Sequence, residues 1–388
     1  MVDAQSTVAE AKPAAVAQNA FGLKLIAELA TELRRKNVFV SPSSVFMALG
    51  MVELGSAGKT RTAIRNTLHV PADFSEERMH ASVAALSRSL RAHDGVELSI
   101  ANALWSDRKT PLAPGFVSRS RDLYEAEAHS LDFLSPEAAD IINNWVKQQT
   151  RGKIDSIVSR PIVARSKAIL TNAVYFKGKW QKRFDKELTR DGVFHLIDGG
   201  QQQLPFMRHP VLEDAYRSGD GYEGVVLPYA SDIPNRTADM DLCVLLPSPG
   251  KSPEEILARL PLVEFLNANQ PVELDLRLPR LNLNFDASLS NALQHMGMGI
   301  AFQFGAADFT PLGSPHFVIG DVLHKTRLEV DEEGTVAAAV TAITAPMGMA
   351  APRRLQKRIL TIDRPFAVLL CDRRTGAILF AGVVYRLG

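Results

Sequence analysis

Two periods of apolar spacing alternate in the first half of the chain, and one of them dominates the second half. From Ala20, apolar residues recur at helical spacing: Phe21, Leu23, Leu25, Ile26, Leu29 and Leu33. Residues 37–40 predict a short strand. Ser41-Pro42-Ser43-Ser44 predicts a helix start, because Ser41 can accept from a free N–H of the first turn and Pro42 needs no partner there. Helical patterns follow at 59–68, 76–92, 115–124 and 136–149, with a strand at 98–105 between them. Residues 167–176 form a long apolar strand. Beyond it strands are predicted at 191–195, 203–208, 223–228, 240–247, 272–283, 317–322, 327–331, 359–363 and 366–386, with helical breaks near 252–268 and 286–296. Residues 1–19 carry neither period, and 1–17 are expected as a flexible tail. No repeat and no Pro/Gly/Ser-rich linker divides the rest. The expectation is one mixed α+β domain over 18–388.

One stretch fits neither period comfortably. Asp331-Glu332-Glu333 gives way at Gly334 to Thr335-Val-Ala-Ala-Ala-Val-Thr-Ala342, eight small or β-branched residues without charge. It lacks the Asn, Asp and Ser that build turns. Its Val and Thr suit a strand, yet its alanines bury little apolar area. It reads as a strand that must slide into a tight slot, with Gly334 as its hinge.

Composition narrows the function classes. The 388 residues are 46% hydrophobic and 22% charged, with a net charge of +1, so no general attraction to nucleic acid or acidic membranes is implied. No apolar run is long enough for a membrane span. Cys243 and Cys371 sit in apolar strand runs and read as buried free thiols. The nine histidines show no His-x-x-x-His spacing and there is no Cys-x-x-Cys, so no metal site is expected. Gly55-Ser-Ala-Gly58-Lys59-Thr60 has the look of a phosphate loop, but Glu53 stands where the first glycine belongs and a helix, not a strand, precedes it. No Gly-x-Ser-x-Gly elbow is present, and no catalytic residue is assigned. Asn235-Arg-Thr237 is a glycosylation sequon, meaningful only in a secreted protein. Arg353-Arg354 and Lys357-Arg358 read as a solvated basic loop, as a cleavage site for a trypsin-like or dibasic-specific protease, or as a contact for an acidic partner.

Several blocks together resemble the serpin family from about residue 18 to Gly388. They are Asn37-Val-Phe-Val-Ser-Pro-Ser-Ser44, Ile142-Asn-Asn-Trp-Val146 with Thr150-Arg-Gly-Lys-Ile154, and Leu170-Thr-Asn-Ala-Val-Tyr-Phe-Lys-Gly-Lys-Trp180. Asp321-Val-Leu-His-Lys325, Glu332-Glu-Gly-Thr335, Asp363-Arg-Pro-Phe366 and Phe380-Ala-Gly382 follow in the same order. The resemblance implies the serpin fold: three β-sheets, about nine helices and an exposed reactive loop, here about 333–357. It also implies a suicide-substrate mechanism. A serine protease, or in some cases a cysteine protease, cleaves the loop to a covalent acyl-enzyme. The freed loop then enters the large central sheet as a new strand and traps the protease. The protein is expected as a monomer, with no cofactor and no nucleic-acid or membrane partner. The family's role favours an extracellular or periplasmic place, while the lack of a signal-peptide pattern keeps a cytoplasmic one open.

The resemblance assigns residues too. Glu332, Gly334, Thr335, Ala337, Ala339 and Thr341 match the hinge. By strand alternation the last four all face one way, and all are small and uncharged. Ser41, Ser44, Asn172 and His324 match the polar "shutter" under the central sheet; Trp180 and Phe176 match the "breach", where the loop enters. Counting forward from Gly334 by the family's spacing puts the scissile bond between Gly348 and Met349, with Met347 as the neighbouring alternative. Counting back from Asp363 lands near Arg354, six positions further on. The forward count suits elastase-, chymotrypsin- or subtilisin-like proteases. Arg354 would suit trypsin-like ones. The family's other class, a non-inhibitory binding or chaperone-like member, is the competing expectation.

Overall fold

Helix α1 (Ala4–Leu33) opens the chain and departs at once from the expected flexible tail. Its first turns are held by small side chains rather than by an apolar stripe: Ala11, Ala14, Ala15 and Ala17 are buried, which is why hydrophobic periodicity missed them. Pro13 lies inside this helix. One turn is completed from outside, where the Ser82 hydroxyl accepts from the Ala14 N–H at 3.1 Å and donates to the Glu10 carbonyl at 2.7 Å.

Strand β1 (Val38–Val40) leads into α2 (Pro42–Leu54), α3 (Gly58–Thr67) and α4 (Glu76–Arg91), which carries Ser82. Next come β2 (Val96–Asp107), α5 (Pro114–Tyr124), β3 (Glu127–Leu131), α6 (Ala138–Gln149), α7 (Arg160–Arg165) and β4 (Ala168–Lys179). The strand-rich half holds β5 (Arg190–His195), β6 (Gln201–Glu213), β7 (Tyr216–Gly219), β8 (Tyr222–Ala230) and β9 (Thr237–Pro247). Then follow α8 (Pro253–Arg259), α9 (Leu262–Asn267), β10 (Val272–Pro279), β11 (Leu281–Ser288), α10 (Ser290–Leu293) and β12 (Asp321–Val330). The chain ends with β13 (Gly334–Thr335), β14 (Gln356–Thr361), β15 (Phe366–Asp372) and β16 (Ile378–Val384). The structure, a computed structural model, describes residues 4–233, 236–268, 270–313, 317–335 and 355–387. Ala337, Ala339, Thr341, Met347, Gly348, Met349 and Arg354 lie outside the described residues, as does Asn235.

The strands form three sheets, as expected, and the described residues hold ten α-helices, in line with the expected number of about nine. The central sheet runs β11-β12-β4-β2-β3, with β13 paired to β4 off that path. A second sheet runs β1-β16-β15-β9-β8-β7, and a third β14-β10-β6-β5. The main apolar core lies between the central and second sheets and the helices α1, α2 and α4. A smaller cluster, with Trp105, Ile142, Val146, Ile169 and Leu323, packs α6 on the other face of the central sheet.

Several element boundaries differ from the pattern reading. The single strand expected over 272–283 is two, because at Arg280 the chain leaves the third sheet for the central one. Residues 366–386 are likewise two strands, turned back on each other between Asp372 and Ile378. The two strands expected at 317–322 and 327–331 are one, β12. Its intervening Lys325, Arg327 and Glu329 alternate with buried His324, Thr326, Leu328 and Val330, so polarity there marks a face and not a break. Helix 252–268 is interrupted at Pro261.

Because Ser82 completes a turn of α1, Ser82→Ala leaves the buried Ala14 N–H and the part-buried Glu10 carbonyl without their partner. We expect a loss of about 1–2 kcal/mol of stability by chemical denaturation; a change within about 0.3 kcal/mol would contradict this role.

Candidate functional site

Of the residues assigned to the hinge, Gly334 and Thr335 lie on one edge of β4 and Glu332 in the turn before them. Antiparallel pairs join β4 to β2 along its whole length, including Val96 with Gly178. On the opposite edge, β12 pairs in parallel from Ile169 to Tyr175. Above that point β13 takes over the same edge, with Thr335 opposite Gly178 and Gly334 opposite Lys179. The chain therefore leaves β12 at Val330, turns through 331–333 and comes back antiparallel to β4, at the head of the β4–β12 seam. Asp331 makes the turn, its carboxylate accepting from the N–H groups of Glu333 at 2.9 Å and Gly334 at 3.2 Å. Gly334 has φ +147, and a side chain there would run into the Gly178 carbonyl at 2.2 Å, so only glycine fits.

Glu332 anchors this turn. It is 1% exposed and accepts from Arg280 (2.6–3.1 Å) and from the Thr189 hydroxyl at 2.6 Å. Burial alone would raise its pKa, but the hydrogen bonds from Arg280 and Thr189 outweigh it and hold the carboxyl below its usual value. Glu333 pairs with Lys186.

The two residues that the resemblance assigns to the breach sit directly beneath. Trp180 and Phe176 are buried, and both rings pack on Tyr229, Trp180 stacked at 4.7 Å and Phe176 edge-on at 5.0 Å. The Trp180 indole N–H donates to the Asp331 carbonyl at 2.8 Å, and its backbone N–H to the Glu333 carbonyl at 3.0 Å. Thr335 faces the same core: it is fully buried and its hydroxyl is 2.8 Å from that of Tyr229.

Lower in the seam, the four shutter residues come together with a fifth. Asn102 of β2, Asn172 of β4 and His324 of β12 form one row across the sheet. The Asn172 amide donates to Ser44 Oγ and to Asn102, and its carbonyl oxygen accepts from His324 Nδ1. The Ser41 N–H donates to His324 Nε2 at 3.0 Å, which fixes the imidazole as the neutral Nδ1–H tautomer. Burial pushes His324 down to about 3. Ser41 also caps α2 through the Ser44 N–H at 3.3 Å, so the row stands on the N-terminus of that helix. Thr326, one position on the same face, donates to the Phe39 carbonyl at 2.7 Å.

Sequence reasoning missed Asn102, Tyr229, Arg280 and Thr189. Asn102 was detectable as an amide in an otherwise apolar strand run. Arg280 and Thr189 had no local signal, because their partner Glu332 is distant in sequence and looked like one of three ordinary surface acids.

Comparisons with known proteins agree over nearly the full chain. Residues 16–387 match the family model described as Serpin (serine protease inhibitor). An uncharacterised serpin-like protein of Thermococcus kodakarensis is 33% identical over 378 residues, covering 96% of this chain and 85% of the relative. The leukocyte elastase inhibitor of Xenopus laevis is 32% identical, covering 89% and 92%. Among solved structures, the thermophilic serpin tengpin in its native state has a TM-score of 0.82 at 26% identity, covering 96% of this chain and 93% of that one. Human thyroxine-binding globulin complexed with thyroxine has a TM-score of 0.86 at 26% identity, covering 97% and 99%.

The depressed Glu332 value has a sign. A carboxylate held below its unfolded value stabilises the hinge above about pH 4.5 and loses that contribution as pH falls through the folded value. Arg280→Met should release the hinge already at neutral pH, seen as faster amide exchange at Gly334 and Thr335 and a shift in Trp180 emission. Wild-type protein should reach the same state only in acid. Unchanged exchange in Arg280→Met would contradict the anchor.

Proposed function

The chain belongs to the serpin family, and on that premise we propose that it is an irreversible suicide-substrate inhibitor of serine proteases. The observation that carries the reading is the position of Gly334 and Thr335, strand-paired on the β4 edge at the head of the β4–β12 seam. A strand continuing from Thr335 along β4 keeps its register, so Ala337 falls opposite Phe176, Ala339 opposite Val174 and Thr341 opposite Asn172. Thr335 already faces the core, so by alternation the next three face it as well, and none carries a charge or a large side chain to obstruct entry. Thr341 would bring a hydroxyl into the row where entry separates Asn172 from His324. The polar groups exposed by parting the strands then find a new partner instead of being left unsatisfied.

The same register bears on the cleavage point. Strand β4 begins at Ala168, which that continued register would set opposite Ala345. Cleavage between Gly348 and Met349 leaves a segment that fills the seam with a few residues to spare. Cleavage after Arg354 leaves six more with no strand to pair with. A small, apolar neighbourhood, Ala345-Pro-Met-Gly-Met-Ala-Ala351, favours elastase-, chymotrypsin- or subtilisin-like targets, with Met347 as the competing residue before the cut. The acyl bond forms from the protease's nucleophile, and this chain supplies no catalytic residue.

A second reading, a ligand carrier without inhibitory action, is favoured by the likeness to thyroxine-binding globulin. The two separate on a denaturing gel. Incubation with a panel of elastase-, chymotrypsin-, subtilisin- and trypsin-like proteases should give a covalent complex stable to detergent. Thr335→Arg should still be cleaved but lose at least about tenfold in complex yield, because a buried guanidinium blocks the first pair. No complex across the panel would favour the carrier reading, and full complex yield in Thr335→Arg would overturn the insertion register.

A further inference from the structure

The chain between α6 and α7 crosses the face of the central sheet that α6 covers, and the account above gives it no task. Helix α6 ends in a Schellman turn: the Gly152 N–H donates to the Lys147 carbonyl at 2.7 Å and the Arg151 N–H to that of Gln148 at 3.1 Å. Arg151 and Gly152 take left-handed backbone, φ +53 and +76, and turn the chain out over the strands. Beyond them Ile154, Ile157 and Val158 are buried in the smaller apolar cluster. Among the described residues, that cluster draws Ala101, Ala103 and Trp105 from β2 and Ile169 and Ala173 from β4, but Leu323 alone from β12. The Asn143 carbonyl oxygen, on α6, accepts from the N–H groups of Ile157 at 2.8 Å and Val158 at 3.0 Å.

The polar groups of this segment match the strands beneath them one after another. The Arg151 guanidinium donates to Glu97 of β2 at 2.8 Å, and Glu97 also has Lys177 of β4 at 3.8 Å. The Lys153 ammonium lies over the Tyr175 ring of β4, 5.7 Å from its centre. The Lys153 carbonyl accepts from Nη1 of Arg327, on β12, at 3.5 Å. The Asp155 carboxyl is held below its usual value by its hydrogen bond and charge pair with Lys147 of α6, and after those by the charges of Arg327 and Lys325 on β12. Cations thus stand over an acid and a ring on the β2–β4 side, and an acid stands near two cations on the β12 side. Arg327 and Lys325 are also paired with Glu329 and Asp286.

The crossing falls at one end of the seam. Tyr175 and Arg327 are the last register partners before β12 leaves the β4 edge, so Lys153 touches both sides of the seam at the end next to β13. In the register continued from Thr335, Ala338 would come between these two residues, on the side where Lys153 lies. A strand placed between β4 and β12 takes them from about 4.8 Å apart to about twice that. The segment is bound to β2 and β4 by Arg151, by Lys153 and by most of its apolar contacts, so its hold on β12 is the one that must break. We propose that residues 150–158 are a charge-matched strap across the β4–β12 seam, whose hold on β12 through Arg327 slows strand entry and is loosened by salt. The strap rests on the insertion reading given under Proposed function.

The test uses the intact full-length protein and a synthetic peptide with the sequence of residues 335–346, which has no charged residue. The peptide is blocked at both ends and carries an uncharged fluorophore, and it enters the seam without any protease. Incorporation is followed by native gel at about 50 and about 500 mM NaCl. The wild-type rate should rise by about threefold with salt, which screens the exposed charges that hold the strap. Arg327→Met should reach the faster rate already at low salt and respond little to more. Arg151→Met breaks a contact on the side that moves with the strap, so its low-salt rate should stay within about 1.5-fold of wild type. Asp155→Asn, at an exposed position, should speed entry by about twofold at low salt and decides the question if Arg327→Met fails to fold. A wild-type rate indifferent to salt, an Arg327→Met or Asp155→Asn protein that keeps the wild-type rate, or an Arg151→Met protein as fast as Arg327→Met overturns the strap and leaves the insertion reading standing. A peptide that enters none of these proteins overturns the insertion reading itself.

Discussion

A backbone edge can be satisfied by one neighbour at a time. The edge of β4 that faces β12 is divided on this principle: β12 holds it from Ile169 to Tyr175, and β13 holds its upper end at Gly178 and Lys179. On the insertion reading, everything described at the site bears on which of the two extends. Glu332, Asp331 and the buried Trp180 fix the turn that sets Gly334 and Thr335 on that edge. The Asn102–Asn172–His324 row fixes the lower seam, where β12 remains in place.

The chemistry of the two regions differs, and the difference matches their tasks. At the head of the seam the contacts are charged or aromatic and local, holding a turn. In the middle they are neutral amides, hydroxyls and an uncharged imidazole. A neutral hydrogen-bond row exchanges partners at a far lower desolvation penalty than an ion pair does. A seam that must open and reclose around a new strand is better built from such groups. On the insertion reading, the sequence offered to it, with Thr335, Ala337, Ala339 and Thr341 at alternate positions, would be small enough to pass and would end on a hydroxyl.

Much of this is legible in the sequence. Ser41-Pro42-Ser43-Ser44 announced the helix start on which the row stands, and Gly334 announced the turn into β13, because a capping hydroxyl and a lone glycine before a strand-like run are local signals. The N-terminal helix was not legible, since alanines packed on α4 give no apolar stripe and Pro13 argues against a helix. Nor was the division of β12 and β13 along β4, a matter of register between segments some 150 residues apart in sequence. The partners of Glu332 were hidden for the same reason: an acid among acids reads as surface until Arg280 and Thr189 close on it.

If the β4 edge is waiting for a longer strand, then the intact molecule is not its most stable arrangement. The direct measurement is the thermal midpoint of the protein before and after a single nick in the loop, with both fragments retained. The account predicts that the nicked protein melts higher by about 10 °C or more, as the loop completes the central sheet. A midpoint that stays within about 2 °C, or falls, would contradict it.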